Sequence, residues 1–203
     1  MTSSWEVVYT EYNFWGGYMH MEYNKHIILK NGKECLLRNG RAEDGKAALD
    51  NFLATHEETD YLLTYRDENR FTVEQESEYL KQKMESEREI EIIAFVDGKI
   101  AGTAGIDSLG TAYKIKHRAE FGIAVSKEFW GLGIGLALME ACIECAKRAG
   151  YTQLELSVVA ENERAIGMYH NAGFVEIGRN PKGFYSRISG YQELVMMALE
   201  LGK

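Results

Sequence analysis

The chain has 203 residues, 45% of them hydrophobic and 27% charged, a balance suited to a soluble globular protein that can bury a sizeable core. Its net charge of −8 argues against nucleic acid as a partner, because phosphate binding needs a basic face, and it favours cationic ligands such as amines. No run approaches the ~18 apolar residues of a membrane span, and the polar start lacks the basic flank and apolar run of a secretory signal. Three cysteines, an odd number, with no such signal point to a reducing cytoplasm. Cys142 and Cys145 form a CxxC pair with no companion pair or histidines, so they are expected in a helix core and no metal site is assigned.

In chain order, residues 1–23 are rich in aromatics (Trp5, Tyr9, Tyr12, Phe14, Trp15, Tyr18, Tyr23) without helical periodicity. They either add strands to the domain or form an upstream extension; they are set apart as an N-terminal extension of uncertain structure, residues 1–27, before a domain spanning 28–203, and are a candidate surface for pairing two subunits as a homodimer. A short strand is expected over residues 35–38. A helix follows over 43–56, with Ala48, Leu49, Phe52 and Leu53 at helical spacing. A second helix starts at Thr72, which makes a capping box with Gln75, and runs to about residue 85. The period then becomes that of strands: residues 90–96 and 99–106 flank Asp97-Gly98, a hairpin turn. Residues 113–125 hold the next strand, with Phe121, Ile123 and Val125 on one face and Glu120, Gly122 and Ala124 on the other. A glycine-rich turn, Trp130-Gly-Leu-Gly-Ile-Gly135, opens a helix to about residue 149 with Ile134, Leu138, Cys142, Cys145 and Ala149 as its buried stripe. A strand over 154–159, a short helix over 162–171 capped by Asn162, and strands over 174–178 and 191–199 complete the chain, with a loop expected over 180–190. Strands joined by hairpins mix here with strands separated by helices. The fold class is therefore α/β (α+β): a central mixed, mostly antiparallel sheet covered by helices.

The strand, glycine turn and helix at residues 125–139 form a site for phosphate. Glycines admit close backbone approach, and a helix N-terminus offers free N–H groups and partial positive charge without needing a basic side chain. The spacing of Gly131, Gly133 and Gly135 fits neither the dinucleotide fingerprint nor a P-loop.

This turn resembles the Gln/Arg-x-x-Gly-x-Gly/Ala motif of GNAT-type N-acetyltransferases, with Gly133 and Gly135 at the two defining glycines and Trp130 in place of Gln/Arg. A second block, Asn162-Glu-Arg-Ala-Ile-Gly-Met-Tyr-His-Asn-Ala-Gly-Phe174, is similar to the family's Asn-x-x-Ala-x-x-x-Tyr-x-x-x-Gly-Phe. The tryptophan also resembles the branch of ribosomal-protein N-terminal acetyltransferases. The resemblance covers residues 36–199 and implies the GNAT fold, with strands splayed at an acetyl-CoA site.

It implies an acetyl-CoA-dependent transfer of an acetyl group to a primary amine by direct attack on the thioester, the amine being a protein N-terminus or lysine, or a small amine. By resemblance, backbone at Ile123, Ala124 and Val125 meets the pantetheine arm and the oxyanion, and Trp130, Gly131, Leu132, Gly133, Ile134, Gly135 and Leu136 cradle the pyrophosphate. Asn162 contacts the arm, and Tyr169 lies near the sulfur as a candidate acid toward the departing thiolate. Glu120, an acidic residue in an otherwise apolar strand, is the candidate base, or else a surface carboxylate paired with Lys114, Lys116 or Arg118. Lys127, Arg148 and Arg164 are candidates for the rim that meets the 3′-phosphate. Glu57, Glu58 and Asp60 in one loop, and Phe184 and Tyr185 in another, are candidates to wall the acceptor side. The alternative reading is an acyl-CoA-binding sensor without turnover.

Overall fold

The computed structural model describes residues 21–202 together with the backbone of two short paired strands, β1 (Phe14–Trp15) and β2 (Tyr18–Met19). The rest of the aromatic N-terminus, and with it the expected dimer surface, lies outside the described residues.

The main sheet comprises β3 (Asn24–Ile28), β4 (Glu34–Asn39), β5 (Ile90–Val96), β6 (Lys99–Ser108), β7 (Arg118–Val125), β8 (Gln153–Val159), β9 (Val175–Ser186) and β10 (Gly190–Glu200). Its order is β3-β4-β5-β6-β7-β8-β10-β9, and every neighbouring pair is antiparallel except β7 with β8. Helices α1 (Gly45–Glu58) and α2 (Val73–Glu85) pack on one face, while α3 (Ile134–Arg148) and α4 (Glu163–Asn171) belong with the main core on the other. The expected mixed, mostly antiparallel sheet is present.

Local chemistry explains most boundaries. Thr72 Oγ1 accepts a hydrogen bond from the Gln75 N–H at 3.3 Å and Gln75 Oε1 accepts one from the Thr72 N–H at 2.9 Å, so the capping box forms as read. Asp97 and Gly98 both take positive φ, 51° and 76°, the conformation a two-residue hairpin needs. Asn162 caps α4 through its side chain, at 3.3 Å from the Ala165 N–H. Cys142 and Cys145 are fully buried as free thiols in the α3 stripe.

Three expectations change. The boundary placed at residue 27 falls inside β3, which pairs with β4 from Asn24↔Arg38 to Ile28↔Glu34, and Met21 and Tyr23 are buried in the main core. Strand β7 begins at Arg118, not 113: residues 113–117 form a turn in which the Ile115 and Lys116 N–H groups share the Ala112 carbonyl. The segment 180–186, expected as loop, continues β9. Pro181 does not prevent this because β9 is the outermost strand, where a missing N–H leaves no ladder bond unmade.

Candidate active site

Strands β7 and β8 run parallel through three register pairs only, Arg118↔Gln153, Ala119↔Leu154 and Glu120↔Glu155. Beyond Glu120 the strands part. Residues 121–125 stay paired to β6 on one side and have no strand partner on the other. Ile123, Ala124 and Val125 are half-buried along this fork. An extended ligand entering there finds one free strand edge to bond.

The fork leads to the glycine turn. Gly131 and Gly133 take φ of 84° and 100°, a region that L side chains avoid, and a Cβ on either would meet nothing within 4 Å. Gly133 is the N-cap of α3 and supplies no side-chain cap, and the first backbone bond of the helix is Ala137 N–H to Gly133 O at 3.1 Å. The N–H groups of Ile134, Gly135 and Leu136 are therefore left without intrahelical acceptors and face outward with the positive end of the helix dipole. Gly135 also packs closely on α4, where a Cβ would stand 3.2 Å from Met168 Sδ. A further contact pins the turn, the Lys30 N–H donating to Leu132 O at 3.2 Å. Trp130 turns its indole Nε1 to Val125 O at 2.6 Å, and the Arg164 guanidinium lies 5.2 Å from the ring centroid.

Tyr169 stands where the strands part. Its ring meets Phe121, the first residue past the paired segment, edge-on at 6.3 Å, and Phe174 at 5.8 Å. The residue is buried, and burial pushes the phenol up to about 12, so it stays protonated at neutral pH. Among the described residues Tyr151 alone has a sealed side-chain polar atom without a partner; the unpartnered Tyr169 hydroxyl therefore reaches open space.

Glu120 is exposed on the α1–α2 face, opposite Phe121. Its expected pairing goes elsewhere: Arg118 binds the neighbouring Glu155 through Nε and Nη2 at 2.5 and 2.6 Å. Arg148 pairs with Glu144 at the far end of α3, roughly 20 Å along the axis from the glycine turn, and so does not belong to the rim. Lys127 and Arg164, both exposed, remain beside the turn.

The two loops expected to wall the acceptor side do meet. Asp60 accepts hydrogen bonds from Ser186 (2.6 Å), Tyr65 (2.9 Å), Ser189 (3.2 Å) and the Gln192 amide (3.2 Å); desolvation pushes its carboxyl up, and the three hydroxyl donors outweigh this and hold it below the usual range. Arg187 stacks on Tyr65 at 4.3 Å and binds Asp67 at 2.7 and 2.9 Å. Glu57 pairs with Arg66, and Glu58 accepts from the Lys127 N–H at 2.7 Å. The three acidic side chains expected to wall the acceptor side are thus each committed to a partner within the protein. A cavity of about 570 Å³ lies between them, lined among others by Leu53, His56, Asp60, Tyr65 and Ile188. Leu63 is 77% exposed, and Tyr185 is exposed beside Tyr191.

Sequence reading missed the Asp60 clasp, whose partners lie more than 120 residues apart. It also missed Glu91, half-buried in β5, although the signal was the one used for Glu120: a carboxylate inside an apolar strand.

Residues 52–174 match the model of the acetyltransferase (GNAT) family. The chain belongs to that family. It is 30% identical over 153 residues to the [ribosomal protein bS18]-alanine N-acetyltransferase of Escherichia coli K12, an alignment covering 74% of this chain and 98% of that one. A GNAT acetyltransferase from Streptococcus pneumoniae superposes with a TM-score of 0.79 at 28% identity, covering 83% of this chain and 99% of the other. At the level of fold alone, a putative acetyltransferase from Salmonella typhimurium, solved with its cofactor acetyl-CoA, superposes with a TM-score of 0.73 at 16% identity, covering 82% and 94%. The chain is thus an N-acetyltransferase, and the family read from the two motifs is the family found. No helix among the described residues is long and apolar enough to cross a membrane.

Proposed function

We propose that the enzyme carries an acetyl group from acetyl-CoA to the free amine of a cytoplasmic protein or peptide. The observation that carries the donor side is the fork joined to an uncapped helix start: a free strand edge at residues 121–125 ends at the open space over Gly131 and Gly133. An arm with amide groups suits the first, and a pyrophosphate suits the second, held by N–H groups of residues 133–136. Asn162 stands at the mouth of the opposite strand, its Oδ1 already used in capping α4 and its amide nitrogen left for a ligand carbonyl.

The chain's own groups divide the chemistry. A backbone N–H at residues 123–125 stabilises negative charge on the thioester oxygen as the nitrogen attacks. Tyr169, protonated by its burial, donates a hydrogen bond to the sulfur as the C–S bond breaks. Its value of about 12 sits above that of a thiol, so the phenol keeps its proton and stabilises the departing thiolate by the hydrogen bond, with outright proton transfer uphill. Glu120, the base expected from the sequence, is exposed on the α1–α2 face.

Two observations favour a peptide over a small amine as acceptor. The relatives named above include one whose name specifies the alanine of a ribosomal protein. The rim of the acceptor side also carries exposed apolar side chains on both walls, Tyr61, Leu63 and Phe71 on one and Tyr185, Ile188 and Tyr191 on the other. The sensor reading is disfavoured because Tyr169 keeps an accessible, unpartnered hydroxyl at the fork. The test is release of free thiol from acetyl-CoA in the presence of an alanine-first peptide, a lysine peptide, free alanine and spermidine. Peptide-dependent release is expected; binding of acetyl-CoA with no release for any amine would return the protein to the sensor class.

A further inference from the structure

On the α1–α2 face, Glu91 of β5 sits opposite Gly105 of β6, which sits opposite Gly122 of β7. The two glycines make a trough across the sheet. A Cβ on Gly105 would collide with Glu91 Oε2, so the carboxyl lies directly over this missing side chain and points toward β7. Over Gly122 a Cβ would meet nothing within 4 Å, and Gly122 is exposed. The trough thus starts at a half-buried carboxyl and opens on the strand whose next residues, 123–125, form the edge of the fork. Strands lie ~4.8 Å apart. A nitrogen over Gly122 would be separated from Glu91 by about one such spacing, the span of a single bridging water.

Resting on the transfer reading above, we propose that Glu91, rather than Glu120, takes the proton from the acceptor amine, through one water lying in the Gly105–Gly122 trough. The proton leaves the ammonium for the water as the water passes its own to the Glu91 carboxylate. The freed lone pair then forms the C–N bond, the C–S bond breaks, and the sulfur keeps its electron pair. Glu91 differs from Glu120 in surroundings. Burial pushes its carboxyl up to about 7, the hydrogen bond from Thr103 and the charge of Lys83 oppose this, and Asp107 and Glu76 add to it. A base poised there is neither trapped in its charged form nor too weak at neutral pH. The charged and titratable groups facing it are Glu76, Tyr79 and Lys83 from α2, Asp107 from β6 and Cys142 from α3 across the sheet. Tyr79 Oη donates to its Oε2 at 3.4 Å, and Lys83 is tied to Asp107 and to Glu89. Across the strands Glu120 is flanked by Asp107 and Glu155, each already paired with a cation, Lys83 and Arg118.

The experiment compares wild type, Glu91→Gln and Glu120→Gln for thiol release with the same peptide across pH 5.5–9, and for acetyl-CoA affinity by calorimetry. Glu91→Gln is expected to lower kcat/KM by ~100-fold or more, to lose the limb centred near pH 7, and to bind acetyl-CoA as wild type does. The acceptor's own ionisation is common to all three proteins and drops out of the comparison. Gly122→Ala, which the fold has room for, is expected to reduce transfer while leaving acetyl-CoA affinity intact. If Glu91→Gln keeps the rate and the limb while wild type turns over, the proton goes elsewhere and this proposal is overturned with the function standing. If wild type binds acetyl-CoA and transfers to no amine, the transfer reading itself falls, and the role of Glu91 with it.

Discussion

The proposed donor side and the proposed acceptor side of this enzyme are built from different materials. The donor side is mainly backbone: an unpaired strand edge at residues 121–125, two glycines at positive φ, and the uncapped start of α3. The acceptor side is side chain: a carboxyl laid over Gly105, and two loops clasped through Asp60 and Arg187. A backbone site serves a ligand common to a whole family, since any sequence with glycines at the right positions makes it. A side-chain site can be rewritten for each acceptor without disturbing the frame. The two should therefore fail separately.

The largest effect is expected at Gly133. A β-branched residue at φ 100° is strained and also fills the cradle, so Gly133→Val should weaken acetyl-CoA by ~100-fold or more, about 3 kcal/mol. Gly133→Asn separates the two causes, since asparagine tolerates a left-handed backbone while still placing atoms in the cradle. Calorimetry showing lost binding in both assigns the effect to occupied space. Normal binding by a folded Gly133→Val protein removes the cradle from the account.

This asymmetry also decided what could be read from the sequence. The glycine spacing and the Asn162–Phe174 block pointed to the family and to the proposed donor side because backbone motifs are written in consecutive residues. The hairpin at Asp97-Gly98 and the capping box at Thr72 were legible for the same reason. The packing of Gly135 against Met168, on a helix 33 residues later, was not legible in the motif. The path of residues 180–186 was misread because Pro181 looks like a loop residue until the strand is known to lie at the edge. Glu57, Glu58 and Asp60 read as free acids because their partners, Arg66, the Lys127 N–H and Ser186, are set by tertiary packing. Glu91 was visible as a carboxylate among apolar residues, but only the register that puts Gly105 and then Gly122 beside it gives that carboxylate a direction.

Next in size is Tyr169→Phe, which removes the hydroxyl and leaves the ring against Phe121 and Phe174. Turnover should fall ~10–100-fold while acetyl-CoA affinity stays within about twofold. Rapid mixing that shows unchanged thiol release would place the donor to sulfur elsewhere. Smaller again is Asp60→Asn on the acceptor side. Its carboxyl is held below the usual carboxylate range, so the clasp is complete at neutral pH and is lost as pH falls through that depressed value. The variant should raise KM for a peptide by ~3–10-fold, with kcat and acetyl-CoA affinity close to wild type. A change in acetyl-CoA affinity instead would show that the two sides are mechanically coupled.

The smallest effect concerns stability and tests the poise of Glu91 without any substrate. Its folded value, about 7, lies above the ordinary 4.5. Between these values the native state keeps a proton that the unfolded chain has released, so the native state binds more protons and stability falls as pH rises through this window. Glu91→Gln removes that dependence. The variant should match wild type near pH 4.5 and exceed it above pH 7. The full shift would amount to ~3 kcal/mol, and the partial exposure of the residue brings the expectation to about 1–2 kcal/mol, or ~2–8 °C in Tm for a domain of this size. A Tm difference that grows with pH, in a variant that is slower in catalysis, is the signature of a carboxyl kept in place at the expense of stability. A difference that is constant with pH would mean that Glu91 is solvated in the native protein, and the trough would then lose its proton acceptor.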